Sequence, residues 1–409
     1  MTANVTIPKT FDPPGGAIGD RLAIVAEHLQ LLTSMSPENR NGHWINIPSK
    51  CLKRLVNDYR PVIDAGKRLG LLEVNERYRN DKNPFTKSYR FTGEHRHGDS
   101  KTFELTTTHA IKRYRRSQQF DADNLGASGL HYASKFPEFS IAPEALTDRA
   151  NKPFWRQYTI NRFRNGRHFA KRCPYGRLHS LHTQMPRTAK QYYRSTDDLV
   201  EVDVRACQPL ILGILSTSKP ARYDRRSALD GCAGGRCWGV GDVGRWMCLC
   251  RSGLLYSSLH QMVVESPEPA FAIVVKETGA QIKVDLRESS AKSFKRSCLI
   301  PLFDRRERMR KSPVFHAIER EFPTIAEFLV RSKKDDYRLT ARMCQRLESQ
   351  LMIDGLGASL AQDHPSIPVA VIHDAVIVPK GFASKATELI EQQFESLGVV
   401  PGMKTKPLC

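Results

Sequence analysis

Two carboxylates in apolar, strand-like runs constrain this chain more than any other feature of its sequence. Asp203 lies in the run Leu199–Val204, and Asp374 lies in the run Val369–Val378. Both runs are rich in β-branched residues, which is typical of buried strands. Because desolvating an unpaired carboxylate costs several kcal/mol, an acid inside a buried strand needs a physical reason.

If the two strands pair, their carboxylates lie close enough together to bind divalent cations. Two-metal sites for phosphoryl transfer hold their ions roughly 3.5–4 Å apart between such ligands. Taken singly, each acid is equally well explained as a strand-end residue hydrogen-bonded to a turn. The choice between these interpretations depends on the sequence that lies between Asp203 and Asp374.

The charge balance favours a polyanionic partner, nucleic acid first. The 409 residues carry a formal net charge of +20, from 63 Lys and Arg against 43 Asp and Glu. Basic residues cluster in 112–116, 156–172 and 305–311, with aromatic residues among the first two groups. This mixture is typical of surfaces that neutralise phosphates and stack bases. The alternative is a basic surface without a groove.

Composition argues against a membrane or secreted protein. No apolar run approaches the roughly 20 residues of a membrane span, and the N-terminus lacks the apolar region of a signal peptide. We therefore expect a cytoplasmic protein whose ten cysteines are thiols. The spacing of Cys232, Cys237, Cys248 and Cys250 does not match the paired spacing of a zinc ribbon, so we expect a Gly-rich surface insertion there rather than bound zinc.

The N-terminal quarter predicts a small helical domain with a hairpin. Residues 1–19 are rich in Pro and Gly and are expected to be flexible. Residues 20–95 predict three helices, a short strand and a hairpin, and resemble the winged-helix domains of phage and plasmid replication proteins. Such a domain either binds duplex DNA or mediates protein contacts. The residues that would contact DNA are basic: Arg60, Lys67, Arg68, Arg77, Lys82 and Lys87.

The rest of the chain predicts two further regions, and the expected fold class is α+β. Residues 96–172 predict a basic, mostly helical, thumb-like region. Residues 173–409 alternate buried strands with helices, which predicts a palm-like sheet domain with an insertion at about 225–340.

The approach to Asp203 resembles motif A of family A DNA polymerases and the related single-subunit RNA polymerases. An Arg-Leu-His-Ser turn begins at Arg177, and a Met-Pro-Arg turn ends at Arg187. Similar turns precede the metal-binding Asp in those families, so the resemblance implies that Asp203 is a metal ligand. Gln208 falls five residues later, where the DNA enzymes carry a Glu that discriminates between sugars.

A segment after residue 290 is similar to the fingers helix of the same families. Lys295, Leu299 and Phe303 are spaced by four residues, which places them on one face of a helix. The resemblance implies that Lys295 binds the triphosphate and that Phe303 stacks near the incoming base, with Lys292 or Arg296 adding charge. The alternative is an amphipathic basic helix.

The run Ile372-His373-Asp374-Ala375 looks like motif C of these families, with Asp374 as the second metal ligand. The resemblance implies that His373 lies near the primer terminus. The alternative is that it is a core residue. A long helix before Asp374 carries Arg346 and Gln350. In the resembled families, a helix at this position lines the primer–template minor groove. The candidates for contacts to template or primer phosphates are three arginines, Arg177, Arg187 and Arg194.

The resemblance covers roughly residues 173–400 and implies a right-hand polymerase with palm, fingers, a helical thumb-like region and an N-terminal winged helix. Asp203 and Asp374 would hold two Mg²⁺ or Mn²⁺ ions. The partners would be nucleoside triphosphates and a DNA primer–template or template.

The kind of nucleic acid made stays open between alternatives. The bulk of Gln208 favours deoxynucleotides, whereas Ala375 and the run from Lys295 to Ser297 are nearer to the RNA enzymes. We expect DNA-templated DNA synthesis in phage or plasmid replication, in the cytoplasm at the nucleoid or a replication site. A single-subunit RNA polymerase or primase is the alternative, and a non-catalytic winged-helix replication initiator is a further one.

Overall fold

The computed structural model describes residues 3–35, 44–76, 87–95, 100–118, 120–151, 154–217, 241–266, 270–274, 281–287 and 289–408. Helices and antiparallel strands are mixed along the chain, so the expected α+β class is confirmed. Among the described helices, none combines the length and the apolar composition that crossing a membrane requires.

The N-terminal part combines helices with two small antiparallel sheets. Its elements are β1 (Ala3–Pro8), α1 (Gly16–Met35), β2 (Ile45–Asn46), α2 (Ser49–Val56), α3 (Arg60–Arg68), β3 (Leu72–Asn75), β4 (Ser88–Phe91), β5 (Ser100–Leu105) and α4 (Thr108–Gln118). One sheet has the spatial order β2–β4–β3, and β1 pairs with β5 in the other.

The first strand belongs to the fold. Val5 and Ile7 of β1 are fully buried in one core with Leu22 of α1. The expectation that residues 1–19 are flexible is therefore wrong for residues 3–8. Four alternating residues are too few to distinguish a strand by pattern, and the Pro and Gly residues that follow dominated the composition.

A buried carboxylate joins α4 to α1. Asp20 accepts hydrogen bonds from the backbone amides of Thr106 (3.1 Å) and Thr107 (2.6 Å), where α4 is about to begin. Amides at a helix start have no intrahelical partner, so a carboxylate there stabilises the helix. The N-terminal core consequently runs from Val5 to Tyr114, beyond the predicted boundaries 20–95.

A connecting layer follows the N-terminal unit. Its elements are α5 (Ala122–Ser134), β6 (Ser140–Ile141), α6 (Glu144–Thr147), α7 (Phe154–Arg164), β7 (Ala170–Arg172), β8 (Leu178–Ser180), α8 (Leu181–Gln184), α9 (Arg187–Lys190) and β9 (Tyr193–Arg194).

The predicted thumb-like region, residues 96–172, has no core of its own among the described residues. Tyr114 packs in the N-terminal core, Tyr132 in the main core, and Ile160 in a third core with Ala370. The described helices of this stretch bury their apolar faces against three different neighbours, and the separate thumb-like region stays a prediction.

The remaining elements supply the central sheet and a helical insertion. They are β10 (Leu199–Val204), α10 (Cys207–Thr217), α11 (Asp242–Ser252), α12 (Leu255–Val264), β11 (Ala270–Val274), β12 (Gln281–Asp285), α13 (Ala291–Ser297), α14 (Leu299–Phe303), α15 (Arg306–Arg310), α16 (Pro313–Glu321), α17 (Pro323–Ser332), α18 (Leu339–Ser349), α19 (Leu356–Asp363), β13 (Ala370–Ile372), β14 (Ala375–Pro379), α20 (Ala383–Glu395) and β15 (Met403–Pro407). A π-helical turn, Gln350–Gly355, joins α18 to α19.

The central sheet is antiparallel, with the order β13–β14–β10–β15. Val200, Val202 and Val204 of β10 lie in the main core, whereas Leu199 lies in the third core. Side chains alternate across a strand, so the sheet is covered on both faces. α20 contacts β10 and β14, and α8 contacts β13.

Candidate active site

Asp203 and Asp374 come together at one end of β10. β10 pairs with β14 so that Asp203 stands opposite Ala375, the residue after Asp374. The backbone amide of Val204 donates to the carbonyl oxygen of Asp374 over 3.1 Å. Two carboxylates that are far apart in sequence are therefore carried by hydrogen-bonded backbone segments.

The run that carries Asp374 is a hairpin, and its interpretation as one strand was wrong. Ile372 of β13 stands opposite Ala375 of β14, so His373 and Asp374 are the two turn residues. His373 has a φ of +59°, a left-handed conformation that favours Gly. The turn was missed because it contains neither Gly nor Pro, the residues that usually interrupt an apolar run.

The turn after Asp203 contains a second residue of this kind. Ala206, between β10 and α10, has a φ of +45°. The preceding Arg205 is held by its backbone amide to the carbonyl of Gly402 (2.8 Å) and by Nε to that of Met403 (2.9 Å). Non-Gly residues in this region cost on the order of 1 kcal/mol each and are concentrated at functional sites.

Both carboxylates have raised pKa values, because burial disfavours their charged forms. Burial, followed by the charges of Glu348 and Asp203, raises the pKa of Asp374 to about 7. Burial also raises the pKa of Asp203, although Lys406 and Lys295 oppose the change. No ion pair to either carboxylate is present in the described part of the chain. Carboxylates that hinder each other's ionisation suit a divalent cation.

A third carboxylate, Glu348 of α18, belongs to this site and was not among the predicted residues. Only 1% of it is exposed. Arg177 donates to it through Nε (2.7 Å) and Nη2 (2.9 Å). The available signal was its place one helical turn from Cys344 and Leu351, on the apolar face of the helix, where an acid needs a partner.

The partners of Glu348 change the interpretation of two predicted residues. Arg177 is engaged by a bidentate ion pair through Nε and Nη2, and its contact to a template phosphate stays a prediction. Gln208, in the first turn of α10, donates its Nε2 to Glu348. Its Oε1 is buried and has no hydrogen-bond partner among the described residues.

The predicted fingers helix consists of two short helices. α13 ends at Ser297 and α14 begins at Leu299. Pro301 has no amide hydrogen to donate to the carbonyl of Ser297, which explains the interruption. Phe303 packs against the main core, which uses part of the ring surface that was predicted to stack on a base.

Lys295 is exposed and lies near the candidate site. Its charge acts on Asp203, and its ammonium lies 4.8 Å from the ring centre of Tyr256. Arg296 is exposed, and the side chain of Lys292 lies outside the described part. Lys333 donates to the carbonyls of Leu302 (3.0 Å), Asp304 (2.9 Å) and Tyr337 (3.2 Å), which fixes the end of α14.

The other predicted arginines and Gln350 lie at different places. Arg187 and Arg346 are exposed. Arg194 donates to the backbone carbonyls of Gln191 (3.2 Å) and Tyr193 (2.8 Å). Gln350 opens the π-helical turn. The structure brings none of the three arginines into hydrogen-bond contact with Asp203 or Asp374 within the described ranges.

His373 is next to the site and uncharged at neutral pH. Its ring lies 6.4 Å from that of His179, centre to centre. Burial, aided by the charge of Arg177, lowers the pKa of His373 to about 4. It therefore contributes a neutral ring beside Asp374.

The π-helical turn is anchored by the connecting layer. Tyr132 donates to the carbonyl of Met352 (2.7 Å), and Ser128 donates to that of Asp354 (3.2 Å). Arg172 forms a bidentate pair with the Asp354 carboxylate at 2.8 Å. π-helical turns leave carbonyls without their usual partners and occur frequently at functional sites. These contacts hold α18, and with it Glu348.

Two of the four clustered cysteines and two of the basic N-terminal residues lie outside the described residues: Cys232, Cys237, Arg77 and Lys82. Cys248 is exposed and Cys250 is buried. Lys67 and Lys87 pair with Glu76 at 3.9 and 3.4 Å, whereas Arg60 and Arg68 are exposed. No group of three or more His, Cys, Asp or Glu in the described ranges is arranged to hold a metal ion.

The chain matches no protein-family model and no curated protein sequence. Among solved structures, it is similar to the polymerase domain of Pol1 from M. smegmatis in complex with DNA primer-template and dNTP, at 11% identity and a TM-score of 0.35. The match covers 64% of this chain and 54% of that one, so the chain spans about half of the matched structure. A similarity of this size does not establish a function, which has to be argued from the site.

Proposed function

We propose that this chain is a template-directed nucleotidyltransferase with Asp203 and Asp374 as its metal ligands. The pairing of β10 with β14 carries the proposal, because it sets side by side two carboxylates that have no ion-pair partner among the described residues. Mg²⁺ is commonly held by one or two carboxylates together with substrate phosphates. When bound, Mg²⁺ or Mn²⁺ would neutralise the charge that develops on the transferred phosphoryl group.

Lys295 is the proposed contact to the triphosphate. Its charge acts on Asp203, so it lies near enough to the carboxylates to contact the phosphates of a nucleotide bound there. A compact charge on a flexible stem suits a phosphate, which presents several equivalent oxygens. Arg296, the next residue of α13, is proposed to add charge. The same role for Lys292 stays a prediction.

Gln208 is proposed to contact the sugar of the incoming nucleotide. Its side chain is held by Glu348, whose charge acts on Asp374. Its bulk favours deoxynucleotides and hence DNA-templated DNA synthesis of the phage or plasmid kind. One observation favours the second candidate, a DNA-directed RNA polymerase or primase. The Oε1 of Gln208, unpartnered within the described ranges, is an acceptor that a ribose 2′-hydroxyl would satisfy.

Residues 16–91 are proposed to form a winged helix that binds duplex DNA. From α1 to β4 the elements run helix, strand, helix, helix, strand, strand, and the three strands form one sheet. Arg60 and Arg68 of α3 are exposed, as contacts to DNA phosphates require.

Primer extension tests the proposal. The full chain is mixed with a labelled primer on a longer template, with dNTPs or NTPs and Mg²⁺ or Mn²⁺. We expect template-directed addition, and none by Asp374→Asn. If the folded wild type adds neither kind of nucleotide with either metal, the proposal is wrong and a non-catalytic initiator takes its place.

A further inference from the structure

Three adjoining cavities follow the seam between the N-terminal unit and α7. The first, about 500 Å³, lies between β1, α4 and the loop after α7. The second, about 350 Å³, shares Gly166 and His168 with the first. The third, about 240 Å³, shares Asn165 with the first and Arg164 with the second. The three cavities adjoin one another, and together they are called the seam groove.

The seam groove is lined by cations. Arg115, Arg164, Arg167 and Lys101 contribute to its walls, and its lining residues in the described part of the chain include no Asp or Glu. Arg115 and Arg164 are exposed. A groove lined by one sign of charge concentrates ligands of the opposite sign, so its ligand is an anion.

Arg167 is held in place on the wall of the first cavity. Its Nη1 donates to the Tyr114 hydroxyl over 2.5 Å, and that hydroxyl donates to Glu27 over 2.5 Å. The same Glu27 accepts a hydrogen bond from the backbone amide of Thr6 in β1 (3.0 Å). Because Glu27 is buried behind the groove, this chain of contacts fixes the cation without placing a carboxylate on the lining.

The arginines of the lining point to a nucleic acid, because guanidinium groups pair well with phosphate oxygens. The rings of Tyr114, Phe139 and Phe163 also line the cavities, but they are buried and support the walls. Positively charged grooves that follow the backbone bind single strands of nucleic acid through phosphate contacts, with little sequence preference. Cavities of a few hundred Å³ suit small ligands or a single strand, and are too small to enclose a duplex.

We propose that the seam groove binds a single strand of nucleic acid. A strand lying in it contacts β1 and α4 on one wall and the loop after α7 on the other, so binding ties the N-terminal unit to the connecting layer. None of the lining residues belongs to the carboxylate site, and the proposal stands whether or not the chain transfers nucleotides.

Fluorescence anisotropy with a labelled oligothymidylate tests it on the full chain, in EDTA and without nucleotides. Arg115→Glu combined with Arg164→Glu is expected to weaken binding at least about tenfold. Each single-strand phosphate contact contributes about 0.7 to the slope of log affinity against log salt, so losing two contacts should lower the slope by about 1.4 between 50 and 200 mM salt.

The matched control is Lys112→Glu combined with Arg116→Glu. Both residues are exposed on α4, beside Arg115, and neither lines the groove. The control changes the net charge by the same amount and should change affinity less than about threefold, since exposed charges act weakly at a distance. Arg115→Lys with Arg164→Lys should retain most of the affinity, and thermal unfolding checks the fold of each variant.

Equal losses in the groove and control variants would overturn the proposal, because general charge would then explain the binding. It would also be overturned if the groove variant, shown to be folded, lost affinity for a labelled DNA duplex but kept its affinity for the single strand. Because the assay contains no nucleotide and no free metal, either failure leaves the proposed nucleotidyl transfer to be judged by primer extension alone.

Discussion

Glu201 and Asp203 stand two residues apart on β10, on the same face of the sheet. Glu201 has two lysine counterions, whereas Asp203 has no ion pair in the described part of the chain. Glu201 pairs with Lys190 at 3.2 Å and with Lys406 of β15. Although burial opposes it, these two lysines lower the pKa of Glu201. Asp203 has a raised pKa. The strand provides one carboxylate with two lysines and leaves the next without an ion pair in the described part of the chain. This contrast supports the proposal that Asp203 binds an external cation.

The largest expected contrast is in catalysis. Asp203→Asn and Asp374→Asn should each lower nucleotide incorporation at least about 10³-fold, because each removes charge that would hold the metal ions. Glu201→Gln should keep incorporation within about tenfold of the wild type, since Glu201 has its counterions already. Primer-extension rates measure all three, and circular dichroism checks that each variant is folded.

Similar losses of nucleotide incorporation in Glu201→Gln and Asp203→Asn would show that the two carboxylates do not differ in their effect on catalysis. The two carboxylates would then form one electrostatic unit, and the assignment of Asp203 as a ligand would lose its basis.

Glu348 offers a second comparison, since its counterion is also built in. Arg177→Leu leaves a buried carboxylate without its bidentate partner and should lower the free energy of unfolding by about 3–5 kcal/mol. Arg177→Leu combined with Glu348→Leu should recover most of the loss, because neither charge of the pair is then buried without its counterion. Urea denaturation of the two variants measures the difference. A double variant as unstable as the single one would show that packing, not charge, is what the pair contributes.

The metal-free protein should show opposite pH trends at the two acids. The pKa of Asp374 is raised from 3.8 to about 7, so its contribution to stability is fully present below pH 3.8 and lost as the pH rises to 7. The pKa of Glu201 is lowered, so its contribution is present above pH 4.5 and lost as the pH falls.

At pH 8 without metal, Asp374→Asn should therefore be more stable than the wild type by about 1–2 kcal/mol, whereas Glu201→Gln should be less stable by a similar amount. Thermal unfolding in EDTA at pH 5 and pH 8 measures both. An Asp374→Asn variant that is destabilised at pH 8 would contradict the view that this carboxylate lacks a counterion.

The smallest expected effect concerns the sugar. Gln208→Ala removes the side chain that Glu348 holds, so ribonucleotide use should rise relative to deoxynucleotide use by about tenfold, or about 1.4 kcal/mol. Competition between NTPs and dNTPs in primer extension measures the ratio. A wild type that already prefers NTPs would favour the RNA polymerase or primase; an unchanged ratio in the variant would mean that Gln208 does not contact the sugar.

The sequence allowed the acid-bearing strands and the main N-terminal helices to be predicted, because their residues repeat with clear periods. The long-range contacts of individual side chains were harder to predict. Glu348 could be recognised as buried from its place on the apolar face of α18, but its pairing with Arg177 depends on how β8 packs against that helix. The hairpin at His373 was missed because a left-handed residue other than Gly leaves no signal in composition. The assignment of α4 to the N-terminal core depends on one long-range contact, from Asp20.

The β10–β14 pair closes a chain loop of about 170 residues, so the site is among the last parts of the molecule to assemble. Each doubling of such a loop costs only about 0.6 kcal/mol of closure entropy, so the length of the intervening chain affects stability little through loop closure. The cost falls on the folding rate instead, since distant strands must meet before their contacts stabilise them. A refolding chain should regain its helical circular dichroism well before its two aspartates can share an ion.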